Sequence, residues 1–300
     1  MSATDARTTP PTGPAPVAAP PAPGPARRLL RAAAARPGLL VALVLAVLFA
    51  LAAAAPGLLS RTDPQALDLG NTLAAPGAGH PFGTDEQGRD LYSRVVHGTR
   101  LSLGIGLGAA GLSLVLATVL GSLSALGPRP VRAVVSRIIE IQFAFPTLLL
   151  ALLLVAITGP SATTQLVAVA IGTAPGYARM IRAQILQAKG SAYVEAALAL
   201  GHPHTAIVRR HVLPNAVRPL VVVFALSIGQ SIVWASSLAF LGLGVAPPSP
   251  EWGALLDAGR LYLVHAPWLT VIPGLVIVVL AVVATTIGNH LRLALEKGEQ

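Results

Sequence analysis

Six stretches of this chain are apolar for too long to belong to an ordinary globular core. They cover residues 39–59, 101–126, 134–157, 163–180, 220–241 and 269–290. A helix rises 1.5 Å per residue, so ~20 residues cross ~30 Å of hydrocarbon, and each stretch is near or above that length. Lipid offers no partner to a free backbone N–H or C=O, so all six are read as helices. The expected fold is all-α: a polytopic membrane protein with six transmembrane helices. Composition agrees, since only 11% of the 300 residues are charged and 54% are hydrophobic, against about 25% charged in soluble domains. The chain has no cysteine, which excludes disulfides, thiolate metal sites and cysteine nucleophiles.

The net charge of +9 raises the possibility of nucleic acid as a partner, but the arginines flank apolar runs instead of covering one face of a soluble domain. They read as topology signals, and no nucleic-acid partner is expected. With the N-terminus inside, six crossings return the C-terminus inside. Sixteen of the 21 Lys and Arg then lie on the cytoplasmic side, leaving Arg61, Arg89, Arg94, Arg100 and Arg260 outside. This is the positive-inside arrangement. A multi-pass protein of the cell inner membrane with both termini cytoplasmic is expected.

The linear organisation follows. Residues 1–37 form a disordered cytoplasmic tail, with Pro at eight positions from Pro10 to Pro25 and little to bury. Residues 38–60 are the first transmembrane helix. A secretory signal is the competing reading, although its apolar core is shorter than this run. Residues 61–99 are external, and residues 100–295 are a five-helix core. In the external segment Thr84 with Gln87 three later is a capping-box pattern, so a short helix is expected to start near Asp85. Residues 242–268 hold Pro247, Pro248 and Pro250, with Trp252 and Trp268 suited to a membrane interface.

Between the fourth and fifth apolar runs lies a short charged segment. Ala192 to Leu200 is rich in helix formers and places Ala196, Ala197 and Leu200 near one face. Gly201 stops it, in the position where a left-handed cap is favoured, and Pro203 follows. So short a helix cannot hide its apolar side alone, so it packs on a partner or on the bilayer. The plain alternative is a connecting loop.

That segment reads Glu195-Ala196-Ala197-Leu198-Ala199-Leu200-Gly201, followed by Leu213-Pro214-Asn215, and it resembles the EAA-x3-G-x9-I-x-LP signature of ABC importer membrane subunits. Further pieces occur in order: His80-Pro81-Phe82-Gly83-Thr84-Asp85-Glu86-Gln87-Gly88-Arg89-Asp90, Ala144-Phe145-Pro146, Pro175-Gly176-Tyr177-Ala178-Arg179, Leu238-Ala239-Phe240-Leu241-Gly242 and Ala266-Pro267-Trp268. Together, over residues 37–295, they resemble the second permease of dipeptide/oligopeptide/nickel ABC importers, the DppC/OppC type. The chain departs from that pattern at His211, Ala174 and Asn289.

The resemblance implies a type I ABC importer permease fold. It also implies that the 192–201 helix couples to an ATPase through Glu195, Ala196, Ala197, Leu200 and Gly201, with Leu213 and Pro214 behind it. It implies several partners: a homologous second permease in a heterodimer, one or two ABC ATPases, an extracellular solute-binding protein and membrane lipid. ATP and Mg would sit on the ATPase. This chain has no Gly-x4-Gly-Lys-Ser/Thr loop and no HExxH or GxSxG set, so no cofactor and no catalysis of its own are expected. The mechanism implied is alternating access. A stand-alone secondary transporter or channel is the other class, and it would place acids or broken helices at mid-membrane.

Ser227, Gln230 and Ser231 are candidates for the pathway, with helix–helix hydrogen bonding as the alternative role. Asp85, Glu86, Arg89 and Asp90 are candidates for external contacts, on what is read as a capped and solvated face. His202, His204 and His211 read as structural or interface residues. Glu140 is expected to pair with Arg137 or another local arginine.

Overall fold

The computed structural model describes residues 37–214 and 220–297. The chain divides into two units, Met1–Pro37 and Gly38–Gln300, and the helical bundle is the second. The tail expected over 1–37 therefore lies outside the described residues up to Pro37, as do Asn215 and the side chains of His204 and His211.

Eleven α-helices occur among the described residues. They are α1 Pro37–Ala54, α2 Pro56–Leu59, α3 Leu91–Leu126, α4 Arg129–Ala144, α5 Thr147–Thr158, α6 Ala162–Lys189, α7 Ala192–Ala199, α8 His204–Ile207, α9 Leu220–Leu238, α10 Trp252–Arg260 and α11 Trp268–Lys297. The only β-pairing among them is an isolated bridge between Thr84 and Asp90.

Four helices are long and apolar enough to cross a bilayer: α1, α3, α9 with its π turn to Leu243, and α11. The third expected crossing is broken. α4 and α5 meet at 96°, where the sequence suggested one continuous run. Proline disfavours helical backbone in the residue before it and cannot donate a ladder hydrogen bond. Phe145 is accordingly extended, at φ −85° and ψ 135°, with Pro146 as the N-cap of α5.

The fourth expected crossing is α6. Its 28 residues reach about 42 Å, but Gln165, Thr173, Tyr177 and Arg179 keep it from being uniformly apolar. The packing explains the first three, since Arg179 alone of these is exposed. α6 makes the most extensive helix contact of the bundle, with α3, and also packs on α4, α5 and α9. A helix enclosed by protein does not need an apolar exterior. Small residues bring the pair together: Ala109, Ala110 and Ala117 on α3, with Ala168, Ala170 and Ala178 on α6, are at most 0% exposed. Such residues let backbones approach closely where lipid supplies no hydrophobic drive. Ser113 and Thr173 share a 2.8 Å hydrogen bond across this contact. The Gln165 amide donates to the Ala235 carbonyl of α9 at 2.6 Å.

The segment before α3, read from the sequence as external, corrects several expectations. No helix starts at Asp85. α3 begins at Leu91, ten residues before the expected span, with Asp90 as its N-cap accepting from the Ser93 amide at 2.8 Å. The Thr84 hydroxyl instead donates to the Asn71 carbonyl at 2.5 Å and accepts from the Ala74 amide at 2.8 Å, which removes it from capping. Asp85 organises a tight turn. One carboxylate oxygen accepts the Gln87 and Arg89 amides, each at 2.9 Å. The other accepts Arg89 Nε at 2.6 Å and Arg94 Nη1. Gly88 takes φ +74° there, and a Cβ would stand 1.7 Å from the Asp68 carbonyl oxygen.

Arg94 Nη2 reaches the Pro248 carbonyl at 3.4 Å, tying this turn to the loop before α10. The tryptophans serve the same join. Trp252, expected at the membrane interface, is fully buried. Its indole donates to the Val95 carbonyl at 2.9 Å, and its ring meets Phe49 of α1 edge-on at 5.9 Å. Trp268 donates to the Thr84 carbonyl at 3.2 Å.

Asp85, Arg89 and Arg94 are 2%, 4% and 3% exposed. Removing one partner of a buried charge network leaves the others uncompensated, at about 3–5 kcal/mol. Asp85→Ala should therefore sharply lower the thermal midpoint of the purified chain in detergent and its level in the membrane. Glu86→Ala, whose partner Arg89 keeps Asp85, should shift the midpoint little.

Candidate functional site

The segment after α6 folds around its caps. Ser191 precedes α7, and its hydroxyl donates back to the Ala188 carbonyl at 2.6 Å. At the other end Gly201 has φ +77°, the left-handed value the sequence suggested. The Gly201 amide donates to the Leu198 carbonyl at 3.0 Å and the His202 amide to the Ala197 carbonyl at 3.2 Å. These paired bonds form a Schellman cap, which satisfies the last carbonyls of a helix. Beyond it lie α8 and a π turn, Val208–Val212, which leads to Leu213 and Pro214.

Val194 and Ala197 point inward, at 4% and 6% exposure. They join Ala117 and Ala125 of α3, Val135 and Ile139 of α4 and Ile181 and Ile185 of α6 in one apolar cluster, closed by Ile207 and Val212. The outer edge carries Tyr193, Glu195, Ala196, Leu198 and Leu200, with Leu200 78% exposed. The expectation that Ala196, Ala197 and Leu200 share one face is thus corrected. The helical register separates Ala197, which belongs to the chain's own core, from Ala196 and Leu200 outside. Leu213 is half-buried and Pro214 exposed.

The pathway candidates also divide. Ser227 and Ser231, four residues apart, are 1% and 2% exposed, and Ser227 donates to the Phe224 carbonyl at 2.8 Å. They serve packing within the bundle. Gln230 faces out and accepts a hydrogen bond from the Tyr177 hydroxyl at 2.9 Å. That pair borders a groove of about 410 Å³ lined by Gln142, Phe143, Thr147, Thr173 and Trp234, at the break between α4 and α5. Among the described residues no charged side chain lines it. The sequence pointed to Gln230 through its polarity. Tyr177 and Gln142 carried no such signal, because the proline break that brings α4 beside them was not read as a break.

The external candidates do not form a contact face. Asp85, Arg89 and Asp90 are buried, and Asp90 additionally holds His80 Nδ1 at 3.0 Å. Glu86 alone is partly open, and it pairs with Arg89 Nη2 at 3.0 Å. Glu140 pairs with Arg137 at 3.4 Å on the surface, as expected, an interaction worth at most about 1 kcal/mol. One acid escaped sequence reading altogether. Glu251 is 1% exposed, caps α10 by accepting the Gly253 and Ala254 amides at 2.9 and 2.8 Å, and lies 3.4 Å from the Ser102 hydroxyl. Burial pushes its carboxyl above the usual range, and the amide bonds partly oppose this.

Residues 117–297 match the family described as binding-protein-dependent transport system inner membrane component. The chain belongs to that family. This permease is 37% identical over 257 residues to the dipeptide transport system permease protein DppC of Alkalihalophilus pseudofirmus, covering 86% of this chain and 84% of that one. It is 38% identical over 271 residues to the glutathione transport system permease protein GsiD of Pectobacterium atrosepticum, covering 90% and 89%. It is 41% identical over 215 residues to the di/tripeptide transport system permease protein DppC of Pseudomonas aeruginosa, covering 72% and 71%.

Among solved structures the fold resembles a chain of the MetNI methionine ABC transporter in inward-facing conformations, with TM-score 0.54, 20% identity and coverage of 67% of this chain and 95% of that one. It also resembles an amino acid ABC transporter with histidines, with TM-score 0.55, 20% identity and coverage of 69% and 94%. The all-α architecture read from the sequence is thus that of an ABC importer permease. The permease is a multi-pass membrane protein and a transport subunit of a binding-protein-dependent system.

The two edges of α7 make separable predictions. Ala197→Leu should overpack the permease's own core and cost about 1–3 kcal/mol, lowering the thermal midpoint of the purified chain. Ala196→Leu, on the open edge, should leave that midpoint unchanged.

Proposed function

We propose that this permease admits peptides to the cell as one of two homologous membrane subunits, driven by one or two ATPases and fed by an extracellular binding protein. ATP and Mg are held by the ATPases, and both termini of this chain are cytoplasmic. Relatives matching over most of the chain are named for dipeptides, glutathione and di/tripeptides, which supports a short peptide as solute. The uncharged groove at Gln142, Tyr177 and Gln230 suits such a solute. A carboxamide both donates and accepts, as a peptide bond does.

The observation that carries the coupling role is the division of α7. Val194 and Ala197 fasten its inner edge to α3, α4 and α6, while its outer edge offers exposed Glu195, Leu198 and Leu200. A short helix so anchored passes a partner's movement into the bundle, and its open apolar edge gives the partner a surface to grip. ATP favours one state of the assembly only through its differential interaction with that state. α7 is the part of this chain through which that difference acts.

Leu200→Ser should release the ATPase on co-purification, or abolish uptake of a labelled dipeptide into vesicles, without moving the thermal midpoint of the chain. Glu195→Ala should weaken both by roughly fivefold, as expected of a rim contact worth about 1 kcal/mol. Normal ATPase retention and normal uptake in the Leu200 variant would remove the coupling role. For orientation, single cysteines at Thr72 and Ser249 should label from outside and one at Thr205 should not.

A further inference from the structure

At the end of the bundle where α3 runs into α4, a cleft of about 390 Å³ opens between α4 and α6, lined by Ser136, Ile139, Glu140, Arg179, Arg182 and Leu186. We propose that this cleft holds the anionic headgroup of a phospholipid.

Three observations converge on it. Arg179 and Arg182 stand three residues apart, on neighbouring positions of one helix face, and neither has a carboxylate partner among the described residues. Arg179 is nevertheless held in place, its guanidinium 3.9 Å from the centre of the Phe143 ring. The Ser136 hydroxyl is shielded and has no hydrogen-bond partner. A phosphodiester supplies what these groups lack: negative charge for two guanidinium groups and an acceptor for one hydroxyl. Glu140 also lines the cleft, and its carboxylate is paired with Arg137 at 3.4 Å and not with either of these arginines.

Depth and shape favour a lipid over a soluble anion. Arg179 lies 17 residues along α6 from Ala162, about 26 Å by the helical rise, and Ala162 lines a cleft at the opposite end with His97 and Arg100. The guanidinium groups therefore sit near the headgroup level of a bilayer about 30 Å thick. Ile139 and Leu186 give the cleft apolar walls for the glycerol and first methylenes. Basic pockets between membrane helices at a cytoplasmic face are where anionic headgroups bind. Which leaflet supplies the lipid rests on the orientation proposed above, whereas the binding itself does not.

The test is native mass spectrometry of the full chain, purified in detergent with its co-assembling subunits and titrated with phosphatidylglycerol or phosphatidylcholine. The wild type should retain phosphatidylglycerol in preference. The double variant Arg179→Gln/Arg182→Gln should bind it about tenfold or more weakly, given roughly 1 kcal/mol for each basic residue near a membrane surface. Ser136→Ala should lose about two- to threefold. Arg129→Gln/Arg132→Gln, which removes the same charge beside the cleft, should lose less than twofold. Unchanged phosphatidylglycerol binding in the Arg179/Arg182 variant, or an equal loss in the Arg129/Arg132 variant, would overturn the site. Inorganic phosphate binding with the same arginine dependence while lipid does not would assign it to a soluble oxyanion and overturn the lipid.

Discussion

The close packing of α3 against α6 is the contact on which the rest of the bundle depends. Small residues draw the two helices together, and the hydrogen bond between Ser113 and Thr173 fixes how they face each other. Because α6 is enclosed along most of its length, it can carry Gln165 and Tyr177, while Arg179 stands exposed towards its end; each does something a purely apolar helix could not. Gln165 pins α9, Tyr177 holds Gln230 at the groove, and Arg179 stands on Phe143 at the bundle end. The polar positions of a membrane helix are tolerable where protein covers them.

The opposite end of the bundle is built on a different principle. Several charges there are buried instead of being left to water, with Asp85 between two arginines and Glu251 capping α10. The carboxylate of Asp85 arranges the turn at residues 85–89, and Arg94 carries that turn to the loop at Pro248. Two segments separated by about 150 residues are thereby made into one layer at that end of the bundle.

Much of the fold was legible because its causes are local. Length and hydropathy located the apolar helices, and the Glu-Ala-Ala run with its glycine located α7 and its left-handed cap at Gly201. The surface pair of Arg137 and Glu140 followed from spacing. Other features escaped because their causes are not local. Whether Ala197 or Ala196 faces inward depends on where α3, α4 and α6 end. Trp252 reads as an interfacial residue until Val95 and Phe49 are known to enclose it. Asp85 and Arg89 look solvated in sequence, and only the approach of Arg94 and the Pro248 loop buries them. The break at Phe145-Pro146 was local and could have been read, since a proline twelve residues into an apolar run disfavours helical backbone in the residue before it.

The apolar cluster under α7 takes side chains from α3, α4, α6, α7 and the turn at Ile207 and Val212, with Leu220 at the start of α9. Protein interiors are packed like molecular crystals and yield little under compression. A displacement of α7 by an ångström cannot be absorbed by a soft layer beneath it. It must move the ends of several membrane helices together, so the cluster works as a stiff bearing that passes a push on α7 to those ends instead of losing it beneath the helix.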